Sequence, residues 1–292
     1  MTKLNLLSKK TLLFAVFNVL LTFPFHSISK YNSNEKNSSA STFTPKKINI
    51  SSSDDPLIIV IDPGHGGKDK GTSFAGFDEK DIVLEIAVAL KIKLKNAIPN
   101  SKIFLTREKD QFVPLHSRIR YANNLKADVF ISLHCNSYID DQSVNGAEVH
   151  VLGLSNHNEK LNTAFRENAS IFFESDRDKY YEWNDPDSPE AFIFFSTFQN
   201  LFLDESINIA AKMCQSKIGI QTFKQRGVKQ SGLLVLRNAT MPAILVETGY
   251  LSNDTDRNTM TSVGGQNQIA AWLANALMEH FIFDKKGIVM NK

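Results

Sequence analysis

The chain has 292 residues, 42% of them hydrophobic, and 33 basic against 31 acidic side chains leave a net charge of only +2. That is ample for one sizeable core, and so even a charge balance offers no basic surface for nucleic acid. Two cysteines, Cys135 and Cys214, are too few for a disulfide framework; they could pair, but the simpler reading is two buried thiols acting as small hydrophobes.

Lys3, Lys9 and Lys10 precede an almost wholly apolar run, Leu12 to Phe25, and the small residues Ser27 and Ser29 follow it. This is the three-part pattern of a secretory signal peptide over residues 1–29, with an uncleaved anchor as the alternative. The apolar run falls short of the ~20 residues that span a bilayer, so no membrane span is expected in the mature chain. Either form sends the remainder out of the cytoplasm, to the periplasm or cell envelope. Residues 30–55 are rich in Ser, Asn and Lys and read as a flexible linker.

A folded domain is expected over 56–283, with 284–292 as a tail. Leu57 to Ile61 is a continuous β-branched run, the pattern of a buried parallel strand, and it ends in the sharp turn Asp62-Pro-Gly-His-Gly-Gly67. A helix capped near Asp81 and stopped at Pro99 follows, then a strand over 102–106 and a helix over 115–125. Asp128 to His134 and Ala147 to Leu152 read as strands. Residues 155–200, polar and aromatic, read as an insertion of helix, loop and helix outside this alternation. A helix over 201–218, strands over 233–236 and 243–246, and a closing helix over 266–281 complete the chain. Strands alternating with helices predict an α/β fold, phosphorylase/hydrolase-like, with a mostly parallel central sheet flanked by helices on both faces and a single catalytic domain. Sites in such sheets form at the carboxyl ends of strands.

Three strand ends carry reactive side chains: His65, His134 and Glu247. Glu79 lies at the start of the first helix. Singly, each has an ordinary structural reading: a histidine capping a strand, a satisfied core histidine, a solvated first-turn carboxylate. Glu247 directly follows a buried apolar run, where an unpaired carboxylate is costly. Together they offer two imidazoles and two carboxylates to one sheet edge. Two histidines and a glutamate make a zinc set that leaves a position for water, and the remaining glutamate can serve as general base.

Asp62-Pro-Gly-His-Gly-Gly-Lys-Asp-Lys-Gly71 resembles the opening signature of the type 3 N-acetylmuramoyl-L-alanine amidases. Further segments match the same family in order: Glu79-Lys-Asp81, Leu105-Thr-Arg107 with Asp110, Leu115-His-Ser-Arg118, Ala127 to His134 with Asn136, Gly146 to His150, Val235-Leu-Arg237, and Met241 to Gly249 with Leu251-Ser-Asn253. The likeness runs from Leu57 to Phe281. It implies one zinc ion held by His65, Glu79 and His134, with Glu247 as the catalytic carboxylate. The implied substrate is peptidoglycan, cut between N-acetylmuramic acid and the L-alanine of the stem peptide. Two residues depart from the pattern: Cys135 stands where a small residue is common, and Tyr250 where Phe is common. Cys135 should point away from His134, because neighbouring strand residues face opposite sides.

Asn136, Arg118 and Arg237 are candidate substrate contacts. For both arginines a scaffold role is preferred, for Arg118 as an ion pair with Asp128. His26, His116, His150, His157 and His280 have no partners by spacing. In some relatives a helical insertion covers the site until an activator protein displaces it. The 155–200 segment offers Glu159, Glu167, Glu174, Asp176 and Glu190 for such a role, or else walls a substrate groove. A zinc peptidase acting on the stem, and a non-catalytic wall-binding module, are the competing readings.

Overall fold

The computed structural model describes residues 55–153, 158–180, 189–216 and 224–284. The expected signal peptide, nearly all of the linker and the tail beyond residue 284 lie outside the described residues. Among the described residues, no helix is long and apolar enough to cross a membrane.

The strands are β1 (Leu57–Pro63), β2 (Ser73–Phe74), β3 (Phe77–Asp78), β4 (Ser101–Leu105), β5 (Val129–Asn136), β6 (Ala147–Leu152), β7 (Gln225–Ser231) and β8 (Ala243–Tyr250). The helices are α1 (Glu79–Ala97), α2 (Leu115–Leu125), α3 (Asn158–Asn168), α4 (Arg177–Tyr180), α5 (Pro189–Gln215), α6 (Asp254–Thr261) and α7 (Val263–Met278). The main sheet has the order β4-β1-β5-β8-β6-β7. Its first four strands are parallel, while β6 pairs antiparallel to β8 and carries β7 parallel to itself. β2 and β3 form a small hairpin before α1.

Side chains alternate across the sheet and divide the core in two. Ile59, Ile61, Val129, Ile131, Leu133, Ile244 and Val246 pack with the apolar faces of α1, α5 and α7, including Trp272. Val60, Phe130 and Leu245 face the other way, against Leu115, Ile119 and Ala122 of α2. Helices therefore cover both faces of a mostly parallel sheet, as the sequence pattern predicts.

Two elements differ from expectation. The strand expected at 233–236 is a tight turn of 3-10 helix, Leu234–Leu236, whose apolar residues pack on α2. The strand falls one segment earlier, at β7, a polar stretch at the sheet edge where one side meets water. The helix expected from Leu201 is the second half of α5, which begins at Pro189. Pro189 suits a first helical position, and no Gly or Pro interrupts the chain after it until beyond Gln215.

Candidate active site

β1 delivers the chain into the turn that carries His65. This residue adopts a left-handed conformation, φ 57°, which costs a non-glycine residue about 1–2 kcal/mol. Hydrogen bonds hold it there. Gly66 and Asp69 exchange backbone hydrogen bonds of 2.8 and 3.1 Å, and Arg118 donates to the His65 carbonyl at 2.7 Å. Glu79, in the first turn of α1, accepts from the backbone N–H groups of Cys135 and Thr72, both at 2.8 Å. His134 and Glu247 are register partners on β5 and β8. Both project to the α2 side of the sheet, while Cys135 lies on the opposite side beside Thr248 at 3.7 Å. Neither cysteine is in a disulfide.

Two glycines leave room for these rings. A Cβ on Gly64 would lie 2.4 Å from His134 Cε1, and one on Gly71 would lie 2.4 Å from Glu79 Oε2. Any side chain at either position would enter the site.

The His65 Nε2 and His134 Nδ1 atoms converge on Glu79 Oε1, at 3.2 and 3.1 Å. A third carboxylate arrives from the insertion. Glu167 Oε2, near the end of α3, lies 3.2 Å from His65 Nε2 and 2.7 Å from His134 Nδ1. One ligand atom from each of these four buried residues lies within 4.8 Å of every other. Burial disfavours both imidazolium ions, yet the carboxylates outweigh it. Glu79, Asp69 and Glu167 raise His65 well above its ordinary range, and Glu167 with Glu79 raises His134 to about 10. Burial likewise disfavours the carboxylates, but His65 lowers Glu79 to about 2, and His134 and His65 hold Glu167 well below its ordinary value. The cluster thus demands two positive charges. A divalent cation would supply that charge to a nitrogen and oxygen donor set of the kind zinc takes. The residues fit the metal.

Glu247 is fully buried, and neither carboxyl oxygen has a hydrogen-bond partner among the described residues. Burial, then the charge of Glu167, push its pKa well above the usual carboxylate range, against the pull of Arg166 and His134. Arg166 Nη2 stands 3.6 Å from Glu247 Oε1.

The insertion is fastened around this cluster by polar contacts. Ser170 donates to Asp69 Oδ2 at 2.6 Å. Arg166 donates to the Ser137 carbonyl at 2.9 Å. Asn168 bridges the Gly232 carbonyl and the Leu234 N–H. Glu174 accepts from the Leu115 N–H at 2.7 Å and pairs with His116 Nδ1 at 3.1 Å. Of the five acids offered by the sequence, Glu167 reaches the cluster, and Glu174 reaches the start of α2. Asp176 is exposed, and the side chains of Glu159 and Glu190 lie outside the described residues.

The other expected positions are placed as follows. Arg118 is fully buried, and its ion pair is with Asp62 at 2.8 Å rather than with Asp128, which instead accepts from the Ile58 N–H. Asp62 lies on the same face of the sheet as His134, whereas Asp128 precedes β5, and this decides the pairing. Arg118 has no exposed surface to offer a substrate. Asn136 is buried and its side chain accepts from the Ser137 N–H. Arg237 is half-buried at the end of the 3-10 turn, where burial lowers its pKa. Three histidines without partners by spacing do have them: His116 with Glu174, His150 with Ser231, and His280 with Glu205.

Histidines and carboxylates gathered at the carboxyl edge of a parallel sheet, beside a buried glutamate whose oxygens have no hydrogen-bond partner among the described residues, form a group that could hold a metal ion and serve a hydrolase. Comparison with known proteins gives the family. Residues 59–279 match the N-acetylmuramoyl-L-alanine amidase domain, and the chain belongs to that family. It is 30% identical over 236 residues to the N-acetylmuramoyl-L-alanine amidase AmiC of Escherichia coli O6:H1, a match covering 78% of this chain and 54% of that protein. The chain therefore spans about half the length of that relative. It is also 30% identical over 227 residues to the sporulation-specific N-acetylmuramoyl-L-alanine amidase of Bacillus subtilis, covering 78% and 69%. Among solved structures it resembles the amidase AmiC2 of Nostoc punctiforme, with a TM-score of 0.53, 31% identity, and coverage of 76% and 96%.

Proposed function

We propose that this chain hydrolyses the amide between N-acetylmuramic acid and the L-alanine of the peptidoglycan stem, with one zinc ion held by His65, Glu79 and His134. The observation that carries this reading is the buried cluster of paired imidazoles and carboxylates with Glu247, whose oxygens lack hydrogen-bond partners among the described residues, beside it. Zinc bound there supplies Lewis acidity toward water and the scissile carbonyl. Glu247 is the general base: it takes the proton of the attacking water and gives it to the amine of the departing L-alanine. Burial makes it a stronger base than a surface carboxylate. Gly64 and Gly71 keep the space around the rings open, and Arg118, Arg107 and Asp62 hold the β1 turn in place.

Within the same reading, α3 and the turn after it form a lid, and the enzyme as described is its resting state. Glu167 Oε2 lies against the two ring nitrogens, where it would be a further donor to a bound metal in place of water. Arg166 stands against the base, and the charge of Glu167 favours the protonated, inactive form of Glu247. An activator protein would lift the lid by competing for its polar anchors. Export through the 1–29 signal peptide would bring the enzyme to its substrate in the periplasm or cell envelope.

The test is digestion of purified peptidoglycan by the chain, by Glu167→Ala and by Glu247→Ala, with zinc content measured for each. The amidase reading expects free L-alanine amino termini on released stems, more from Glu167→Ala, and none from Glu247→Ala despite bound zinc. New termini at other stem residues would instead make the enzyme a peptidase. Equal activity of the parent and Glu167→Ala would sink the lid.

A further inference from the structure

The two ligand histidines offer different ring nitrogens to the cluster, and each remaining nitrogen is held by its own buried chain of hydrogen bonds. His65 presents Nε2, and its Nδ1 lies 2.9 Å from Asp69 Oδ2. His134 presents Nδ1, and its Nε2 lies 3.1 Å from Ser132 Oγ. Ser132 in turn donates to Asp62 Oδ2 at 2.7 Å.

The direction of every proton in these chains follows from the partners. An ionised carboxylate only accepts. Asp62 is fixed as the anion by Arg118, which donates to its Oδ1 at 2.8 Å, and by Thr106, which donates to the same oxygen. Ser132 has one hydroxyl hydrogen, and Asp62 takes it. Toward His134 the serine can therefore only accept, so Nε2 must carry a hydrogen, and the neutral ring has its lone pair on Nδ1, facing the cluster. Asp69 is held as tightly. Its Oδ1 accepts from the Gly71 N–H at 3.1 Å, its backbone is bridged to Gly66, and Ser170 donates to its Oδ2. Toward His65 it too can only accept, which places the hydrogen on Nδ1 and the lone pair on Nε2.

We propose that Asp69, and Ser132 backed by Asp62, are positioning residues that preset the two ligand imidazoles in opposite tautomers, His65 for Nε2 ligation and His134 for Nδ1 ligation. The proposal rests on the zinc reading of the cluster. It assigns Arg118 a task at four removes from the metal: it keeps Asp62 ionised, Asp62 orients the Ser132 hydroxyl, and the hydroxyl selects the tautomer of His134. Loss of such outer groups typically costs about 10–100-fold in metal affinity.

The experiment is competition for zinc against a chelator of known affinity, on the full chain and on Asp69→Ala, Ser132→Ala, Asp69→Asn and Ser132→Thr, with thermal midpoints in chelator as the check on folding. Both alanine variants should lose roughly tenfold to a hundredfold in zinc affinity at an unchanged metal-free midpoint, and the conservative variants, which keep an acceptor, should recover part of it. Nitrogen-15 spectra of the zinc-loaded parent should show metal on Nε2 of His65 and on Nδ1 of His134. Should an alanine variant lose its midpoint as well, its conservative counterpart and the parent spectrum decide the matter. Unchanged affinity in both alanine variants, or metal on the other ring nitrogen in the parent, overturns the proposal and leaves the zinc reading standing. A parent that binds no zinc overturns both.

Discussion

The sheet scaffold and the proposed lid meet at one cluster but are built on opposite principles. In the scaffold, His134 and Glu247 stand on strands, and His65 just beyond one, whose neighbours are buried aliphatic side chains. In the lid the pattern is reversed. Thr163, Glu167, Ser170 and Glu174 point inward and are buried, while Phe165, Phe172 and Phe173 are exposed, Phe165 at 76%. Ile171 is its buried apolar anchor. A segment that docks through charged and polar contacts gains little from leaving water, so it can be exchanged for a competitor, whereas the scaffold cannot be lifted from its core without unfolding. This teaches why regulation would reside in the insertion and chemistry in the sheet.

That contrast can be broken in several ways. The largest effect should come from the scaffold's base: Glu247→Ala should lower the turnover of peptidoglycan by about 10²–10⁴-fold with the metal retained, read from stem release and zinc content. Next, truncating a scaffold residue behind the site, Leu133→Ala, should cost about 2–5 kcal/mol in denaturant unfolding. A lid that behaved as part of the core would give a similar loss for Ile171→Ala. Removing the lid's metal-facing carboxylate, Glu167→Ala, should raise basal activity by about tenfold to a hundredfold, the worth of one charge-assisted contact. It should leave the melting temperature nearly unchanged.

A pH test separates the regions more finely. Glu148 on β6 is buried, which raises its pKa, but His150, Tyr250, Lys229 and Arg226 hold it well below the ordinary range. A depressed carboxylate contributes stability that is complete above its unfolded value of about 4.3 and is lost as pH falls toward its folded value. Thermal melts between pH 5 and pH 2 (an interval set at roughly the unfolded carboxylate range) should therefore show an acid limb for the parent that is shallower in Glu148→Gln. The smallest effect belongs to the lid's outer face, where Phe165→Ser should change stability by no more than about 0.5 kcal/mol.

Much of this was legible in the sequence because function and fold use the same residues there. A β-branched run ending in Gly-His-Gly-Gly announces both a buried strand and a site at its end, and Glu247 stands out because it follows four apolar residues. The alternation also gave Cys135 its opposite face. What could not be read was pairing across distance. Glu167 is one acid among several in a polar stretch, and its approach to His65 joins positions 102 residues apart. Asp62 and Asp128 are equally good partners for Arg118 on paper, and the face of the sheet decides between them. β7 was hidden because an edge strand has no need of an apolar run, while Leu233 to Leu236 has one and forms a 3-10 turn.

The turn that carries His65 is held by a dense set of hydrogen bonds within the fold. Gly66 and Asp69 bridge it, Asp110 and Lys80 fasten Gly67, and Arg107 and Arg118 hold the carbonyls of Gly64 and His65. On the zinc reading, folding and metal loading would then be separate events. Where a small zinc domain assembles around its ion and collapses without it, chelation here would empty a site and leave the architecture standing. A cation bound there would spend little of its binding energy on ordering the chain, because the strained backbone at His65 is already held by the fold that surrounds it.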